Sequence, residues 1–446
     1  MDDRVLKLFS NLSSAADAAA SHDDFHIFSH HDADGISAAI ILAKTLARAG
    51  RGFKLTLLST LNNDTVRSIT ECGAKCIIVA DMGASYIETL DGIDADVIVL
   101  DHHRGDTAAK KIFYTNPHSF GIDGQDGGCG ASVAMLFSVA VNSDNWDLVQ
   151  VAFAGIVGDK QHLKGLTGIN EYLFAEGKRR GYIKCADGSL IPPGPLMSSL
   201  YRSTEPYMRG VSGNVDGVAA LLRDASIDAA RSSSDLNDAE RRKLSSLIAA
   251  KLLMQDVPKE VIEEVCGHKY ILKDWNIDAV TFASLLNSCG KSGMGGAGVG
   301  LGLGDRKCMA DAVAKDAEMQ EMIVSVLGEI DKKGLTVMKN IKFFDNDAGG
   351  FTGTICEVLM RFAADNDKPT IGCSTFENVT KASARCTHAI LRKGVDLSVA
   401  MRKAGEHAGG GGGGHNIAAG AWFPHGNEKK FLEALDSIVG QQISAK

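Results

Sequence analysis

Residues 25–50 read FHIFSHHDADGISAAIILAKTLARAG. A short β-rich run, FHIFS, leads directly into His30, His31, Asp32, Ala33, Asp34 and Gly35, and a longer apolar run with helical texture follows, ending on Gly50. Glycine takes the left-handed conformation that closes a helix at little cost, so Gly50 predicts the helix C-terminus. The same strand, polar turn and helix recur downstream. FKLTLLS (53–59) precedes a polar helix, KCIIVA (75–80) a short one, DVIVL (96–100) is a further strand, and KIFYTN (111–116) adds another. Such alternation predicts a parallel sheet covered by helices. Two helical stretches, Ala131 to Val141 and Asp147 to Val157, complete this region.

Further on the texture changes. Pro192, Pro193, Pro195 and Pro206 are half of the chain's 8 prolines, which predicts a linker or extended arm. Residues from about Val218 to Leu253 are helical and charged, as in DLNDAERRKLSSLIAAKLL (235–253). Strands and helices alternate again from about Leu285: GLTVMKNIKFFDND, a helix, PTIGCSTF, VTKASARC, a helix, and GGGGGGHNIAAGAW. The stretch GMGGAGVGLGLGD (293–305) lacks the GK[ST] of a phosphate loop and reads as a turn entering a glycine-laden strand. The expected architecture is α/β throughout. A parallel-sheet domain spans residues 1–188, a linker arm and helical connecting region spans 189–284, and a second, smaller α/β domain spans 285–446.

The chain has 446 residues, 45% of them hydrophobic and 23% charged, an ordinary globular balance that excludes disorder and fibre. No apolar run approaches the roughly 18 residues of a membrane span, and MDDRVLKLFSNLSS has no secretory pattern, so the expectation is a cytosolic protein without membrane partners. Ten cysteines without a CxxC pair fit neither a disulfide framework nor a thiolate zinc site. A net charge of −8 argues against a general basic coat, although a local groove for phosphates needs no basic total.

The chemistry lies in where acids and histidines fall. His30, Asp32 and Asp34 follow the first strand; Asp81 follows KCIIVA; Asp101, His102 and His103 follow DVIVL; Asp159 ends the apolar segment VAFAGIVG. The C-terminal ends of parallel strands line one crevice, so these residues can converge. Carboxylates and imidazoles without thiolates suit Mn2+ or Mg2+, and six or more candidate ligands are better matched to two ions bridged by one carboxylate. Two ions roughly 3.5 to 4 Å apart clamp the oxygens of a phosphoryl group during in-line attack, which predicts phosphoester hydrolysis. Taken singly, Asp34 or Asp81 reads more simply as a helix cap. Four separate coincidences at strand ends outweigh that reading. In the C-terminal region, Ser383 and Arg385 stand two apart on an expected strand and point the same way, available to a phosphate. The glycine run 409–414, ending at His415, lets backbone N–H groups approach a phosphate, or else is a flexible loop.

HHDADG, ADMG, LDHH and GIVGD, in this order, resemble the four motifs of the DHH phosphoesterase superfamily. KASAR (381–385) and GGHNIAAG (413–420) resemble its companion substrate-binding domain, and LLNSCGK (285–291) resembles the asparagine and glycine-arginine signature of RecJ-type members, with Lys291 where arginine is usual. As a whole the chain resembles an archaeal RecJ-like nuclease. The resemblance implies that His30, Asp32 and Asp81 hold one ion and Asp34, Asp81, His102 and Asp159 the other, with Asp81 as the bridge. It further implies His103 facing the scissile phosphate and Asp101 orienting the histidines. Ser383, Arg385, Gly413, Gly414, His415, Asn287 and Lys291 would contact substrate, and the glycine loop would order when substrate binds. The expected activity is exonucleolytic hydrolysis of single-stranded DNA or RNA, threaded between the two α/β domains, with Mn2+ or Mg2+. Two alternatives stand beside it: a replisome scaffold binding the GINS complex, as the related helicase accessory subunit does, and a hydrolase of small phosphates or cyclic dinucleotides.

Overall fold

The computed structural model describes residues 2–105, 109–363 and 367–445. In chain order the elements are α1 (Asp3–Ala20), β1 (Asp24–His30), α2 (Ala33–Arg48), β2 (Gly52–Leu58), α3 (Asn63–Thr70), β3 (Cys76–Ala80), α4 (Ile87–Leu90), β4 (Asp96–Leu100) and β5 (Phe113–Thr115). Then come α5 (Gly130–Val141), α6 (Val149–Gly158), α7 (Gly168–Arg179), β6 (Ile183–Asp187), α8 (Leu196–Tyr201), α9 (Val215–Ala225), α10 (Asp238–Met254) and α11 (Lys259–Val265). Next are β7 (His268–Leu272), β8 (Ile277–Asp278), α12 (Ala279–Lys291), α13 (Gly295–Leu303), α14 (Arg306–Lys333), β9 (Thr336–Val337) and β10 (Lys342–Asp345). The chain ends with α15 (Thr352–Val358), β11 (Thr370–Phe376), β12 (Val379–Arg385), α16 (His388–Arg392), α17 (Leu397–His407), β13 (Gly411–Gly414), β14 (Ala418–Pro424) and α18 (Glu428–Ser444).

Two compact units divide this chain differently from the expected boundaries. The first comprises residues 1–187 and 268–316, the second 188–267 and 317–446. Residues 285–316 therefore pack with the first unit, because α12 and α13 bury Phe282, Leu286, Cys289 and Leu301 in the core shared with α2 and α6.

In the first unit, β1 to β5 form a fully parallel sheet in the order β2-β1-β3-β4-β5. Side chains alternate across a strand, and β3 shows the consequence: Cys76, Ile78 and Ala80 enter the core beneath α2 and α5, while Ile77 and Val79 enter a smaller core with Ile69, Ile87 and Leu90. Both faces are covered, as parallel sheets require. The helix α1, to which the sequence analysis assigned no element, buries Val5, Leu8, Leu12, Ala15 and Ala19 at helical spacing. Gly50 is left-handed just beyond α2, as expected.

The GMGGAGVGLGLGD stretch is a helix rather than a strand. Its V-G-L-G-L alternation suggests a period of two, but the helix needs its small residues for close approach: a Cβ at Gly302 would lie 2.3 Å from Ile40 of α2. The helix α12 is seated as tightly, for a Cβ at Gly290 would fall 1.6 Å from the carbonyl oxygen of His31.

In the second unit the proline-rich segment is folded rather than a bare linker. Leu190, Ile191, Leu196, Tyr207 and Met208 are buried with residues of α9 and α10, and the Tyr207 hydroxyl donates to Asp331 at 2.5 Å. The C-terminal sheet runs β13-β14-β12-β11-β10-β9, with α17 and α18 packed against one face through Ala382, Ala384, Ala421 and Phe423. The glycine run expected as a mobile loop contributes β13, the edge strand, paired antiparallel with β14. Among the described residues no helix is long and apolar enough to cross a membrane.

Gly290→Ala should lower stability by about 1–3 kcal/mol, because α12 must lift off the backbone after β1. Urea unfolding checks this, and an unchanged midpoint would show that α12 is not seated there.

Candidate metal centre

The sheet order puts β1 beside β3 at the point where connections reverse direction, and ligand sites occur there at the carboxyl ends of the strands. His30 is the last residue of β1, Asp81 follows β3, Asp101 to His103 follow β4, and Asp159 is the C-cap of α6. These ends meet. His30 Nδ1 lies 2.9 Å from Asp32 Oδ2 and 3.6 Å from Asp81 Oδ2. His102 Nε2 lies 3.2 Å from Asp81 Oδ1, 3.4 Å from Asp159 Oδ2 and 3.8 Å from Asp34 Oδ2.

Local structure explains each placement. Asp32 caps α2, accepting the Gly35 N–H at 3.0 Å. Asp34, which alone reads as that cap, instead sits inside the first turn of α2 and accepts the N–H groups of Gly130 (2.7 Å) and Ala131 (2.9 Å), the first two residues of α5. A carboxylate at a helix N-terminus is favoured by the dipole and by otherwise unpaired donors. Gly155 leaves it room, since a Cβ there would lie 2.6 Å from Asp34 Oδ1. Asp81 holds φ at 56°, an unusual value outside glycine, and its N–H donates to the Leu100 carbonyl at 2.9 Å. Strain of this kind persists where surrounding structure enforces it and clusters at functional sites.

Asp101 is buried and saturated. Its Oδ1 accepts the backbone N–H of His102 (2.7 Å) and of His103 (3.2 Å) and meets His103 Nδ1 at 2.8 Å, while Oδ2 accepts the Ala84 N–H at 2.8 Å. It thus holds the ring of His103. The ring of His102 is held by the Gly124 carbonyl, 2.7 Å from Nδ1. A carbonyl only accepts, so Nδ1 carries the proton and Nε2 faces three carboxylates. Gln161 steadies that carbonyl at 2.9 Å, and Asn170 steadies Gln161 at 2.7 Å. Sequence reading found none of Gly124, Gln161 or Asn170, since each is a lone residue in a turn or helix with no motif around it.

Buried negative charge sets the electrostatics. Burial, then Asp81 and Asp159, raise the Asp34 carboxyl well above its usual range. Burial, with Asp81 and Asp32 and against the pull of His102, raises Asp159 to about 7. Although burial opposes it, the Asp32 and Asp81 carboxylates raise His30 well above 6.5, and Asp81, Asp159 and Asp34 do the same to His102. Asp32 is held low, because His30, the Gly35 N–H and Lys291 outweigh burial. The protein alone therefore balances its acids with protons, which divalent cations replace when they bind. Three overlapping groups have ligand atoms within 4.8 Å of one another: His30, Asp32 and Asp81; Asp81, His102 and His103; Asp34, His102 and Asp159. Oxygen and imidazole donors without a thiolate fit Mn2+ or Mg2+.

The remaining candidates fall into two sets. Asn287 and Lys291 lie one turn apart on α12, and Lys291 is near enough to Asp32 to lower its pKa. In the second unit Ser383 of β12 pairs with Gly420, and Gly420 with Gly413, so the three form one row across the sheet. Arg385 lies two residues beyond Ser383, its guanidinium close to Gly353, and His415 directly follows β13.

The N-terminal domain of the DHH family matches residues 24–157, and the DHHA1 domain matches residues 334–441. The chain belongs to the DHH superfamily. An uncharacterized protein of Methanocaldococcus jannaschii is 30% identical over 427 residues, 94% of this chain and 93% of its own. The fold is similar to that of RecJ from Thermus thermophilus solved with Mn2+, with a TM-score of 0.60 at 16% identity over 98% of this chain. The match covers 55% of that RecJ chain, so the present chain spans about half of its length. CDC45 from Entamoeba histolytica is similar at a TM-score of 0.64 and 12% identity, with 98% of each chain covered. The DHH match takes in every candidate ligand except Asp159, two residues past its end.

Stability should report the charge balance. Asp34 and Asp159 have folded pKa values above the unfolded value of about 3.9, so their contribution is lost as pH rises from there through their folded values. The raised histidines lose theirs in the same direction, as pH climbs through their folded values. Mn2+ should therefore raise Tm more at about pH 8 than at about pH 5.5, where protons compete with it. Thermal unfolding with Mn2+ and with chelator tests this; equal increments at both pH values, or none, refute it.

Proposed function

We propose that the chain is a two-metal phosphodiesterase that hydrolyses single-stranded nucleic acid, DNA or RNA, to nucleotides, in the manner of a RecJ-like exonuclease. One observation carries this reading: His30, Asp32, Asp34, Asp81, His102 and Asp159, supplied by four separate strand or helix ends, converge around Asp81 and His102. His30, Asp32 and Asp81 would hold one ion, and Asp34, Asp81, His102 and Asp159 the other. When bound, such ions polarise the phosphoryl oxygens and acidify water at the reacting phosphorus.

The protein's own groups supply the rest. Asp101 fixes the ring of His103 through Nδ1, so that its Nε2 is the nitrogen available to a phosphate oxygen. Asp101 also raises the His103 pKa against the cost of burial, which suits a proton donor to the leaving oxygen. Lys291 brings a positive charge beside Asp32, and Asn287 a neutral donor one turn away. In the second unit Ser383, Arg385, Gly413, Gly414 and His415 supply groups for a phosphate of the bound strand. The full set of acids argues for a hydrolase over a pure scaffold. GINS binding would add to this activity rather than replace it.

With Mn2+, end-labelled single strands should be shortened to nucleotides, and pyrophosphate should be left largely intact. Asp81→Ala should cut the rate by on the order of a thousandfold or more, as loss of a residue acting within a unit does. Asp101→Asn should cost roughly 10- to 100-fold through the His103 ring. Normal turnover by Asp81→Ala contradicts the dinuclear assignment, and rapid hydrolysis of pyrophosphate with strands untouched favours the small-phosphate reading.

A further inference from the structure

The face of the C-terminal sheet opposite α17 and α18 carries an aromatic side chain that no role yet described uses. Register and alternation put Trp422 on that face: it lies directly across from Lys381, and Lys381 alternates with Ser383 and Arg385 along β12. Its other neighbour is Gly411 of the glycine edge strand. A Cβ at Gly411 would stand 3.3 to 3.4 Å from Nε1, Cε2 and Cζ2 of the indole together. Three ring atoms equidistant from one point mean that the indole lies flat over the Gly411 backbone. Trp422 is 53% exposed. One ring face rests on the glycine strand, and the other meets solvent.

The surroundings extend this surface. Phe376 and Val379 pair across the end of the β11–β12 hairpin on the same face, at 77% and 40% exposure. Lys381 is exposed and enters no ion pair among the described residues. Positions two apart on a strand repeat at roughly 6.8 Å, so Lys381, Ser383 and Arg385 stand in a line at about the spacing of successive phosphates of an extended strand; Lys381 is exposed, while Ser383 and Arg385 are half-buried where α15 packs on the same face, Arg385 against Gly353. A flat aromatic beside such a line is how proteins bind single strands without reading their sequence.

We infer that Trp422 is a stacking platform for a nucleobase, placed so that the adjoining backbone runs along Lys381, Ser383 and Arg385. This rests on the phosphodiesterase reading for the identity of the ligand. It also narrows the substrate to one that carries bases, and so excludes pyrophosphate and simple phosphoesters as preferred ligands. The competing account is an aromatic cover for edge glycines, which fills the inner ring face and gives the outer one no ligand.

The two accounts separate in a binding experiment with chelator present, so that no turnover occurs. Labelled oligothymidylate and an abasic strand of equal length are titrated by fluorescence anisotropy. The wild type should prefer the base-bearing strand. Trp422→Ala should weaken that strand on the order of tenfold, leave the abasic strand as it was, and abolish the preference. Trp422→Phe should keep most of the preference while losing the fluorescence quenching that oligothymidylate causes in the wild type. A wild type without preference, or a Trp422→Ala variant that binds both strands as the wild type does or loses both equally, overturns the platform. Binding that depends on Trp422 in a protein that hydrolyses no phosphodiester retains the platform and removes the hydrolase. Strand hydrolysis without any dependence of binding on Trp422 does the reverse.

Discussion

Four carboxylates are pressed together at the carboxyl edge of a parallel sheet, with two imidazoles among them, and much of the first unit is arranged to tolerate that charge. Left to itself such a cluster is costly, because like charges in a low-dielectric pocket repel and the charged forms lose their hydration. The fold pays for this with fixed dipoles: the first N–H groups of α5 meet Asp34, the first turn of α2 meets Asp32, and four N–H donors surround Asp101. What those dipoles leave uncompensated is a demand for cations, visible in the raised Asp34, Asp159, His30 and His102.

The same constraint explains why the ligands come from the positions they do. A parallel sheet aligns the ends of its strands, so residues roughly fifty and seventy positions apart reach one pocket without any long loop. Rigid supports then aim each group. The left-handed backbone at Asp81 turns its carboxylate between His30 and His102, and the chain from Ser132 through Asn170 and Gln161 to the Gly124 carbonyl sets the His102 ring. Such outer groups decide tautomer and orientation, and so the quality of a metal site.

Much of this was legible in the sequence because the determining signals are local. The strands β1, β3 and β4 are short apolar runs, each broken by an acid or histidine at its end, so both the sheet and the six candidate ligands could be named by number. The outer supports were not legible, since a Gly124 carbonyl has no side chain to read and Gln161 is one glutamine among many polar residues. Asp34 shows the limit of local reasoning: a cap was foreseeable, but its belonging to α5, some ninety-six positions on, depends on tertiary packing. The α13 glycines misled for a related reason. Alternating V-G-L-G-L suggests an extended strand until the neighbour, Ile40, is known to leave no space for a side chain. The division of the chain was equally hidden, since only packing shows that residues 268–316 rejoin the first unit.

The most direct test of the central claim is anomalous diffraction at the manganese edge from crystals soaked in Mn2+. The account predicts two peaks, one ringed by His30, Asp32 and Asp81 and the other by Asp34, Asp81, His102 and Asp159, with Asp81 touching both. A pocket without anomalous signal, or a single ion that leaves Asp34 and Asp159 unengaged, would contradict it.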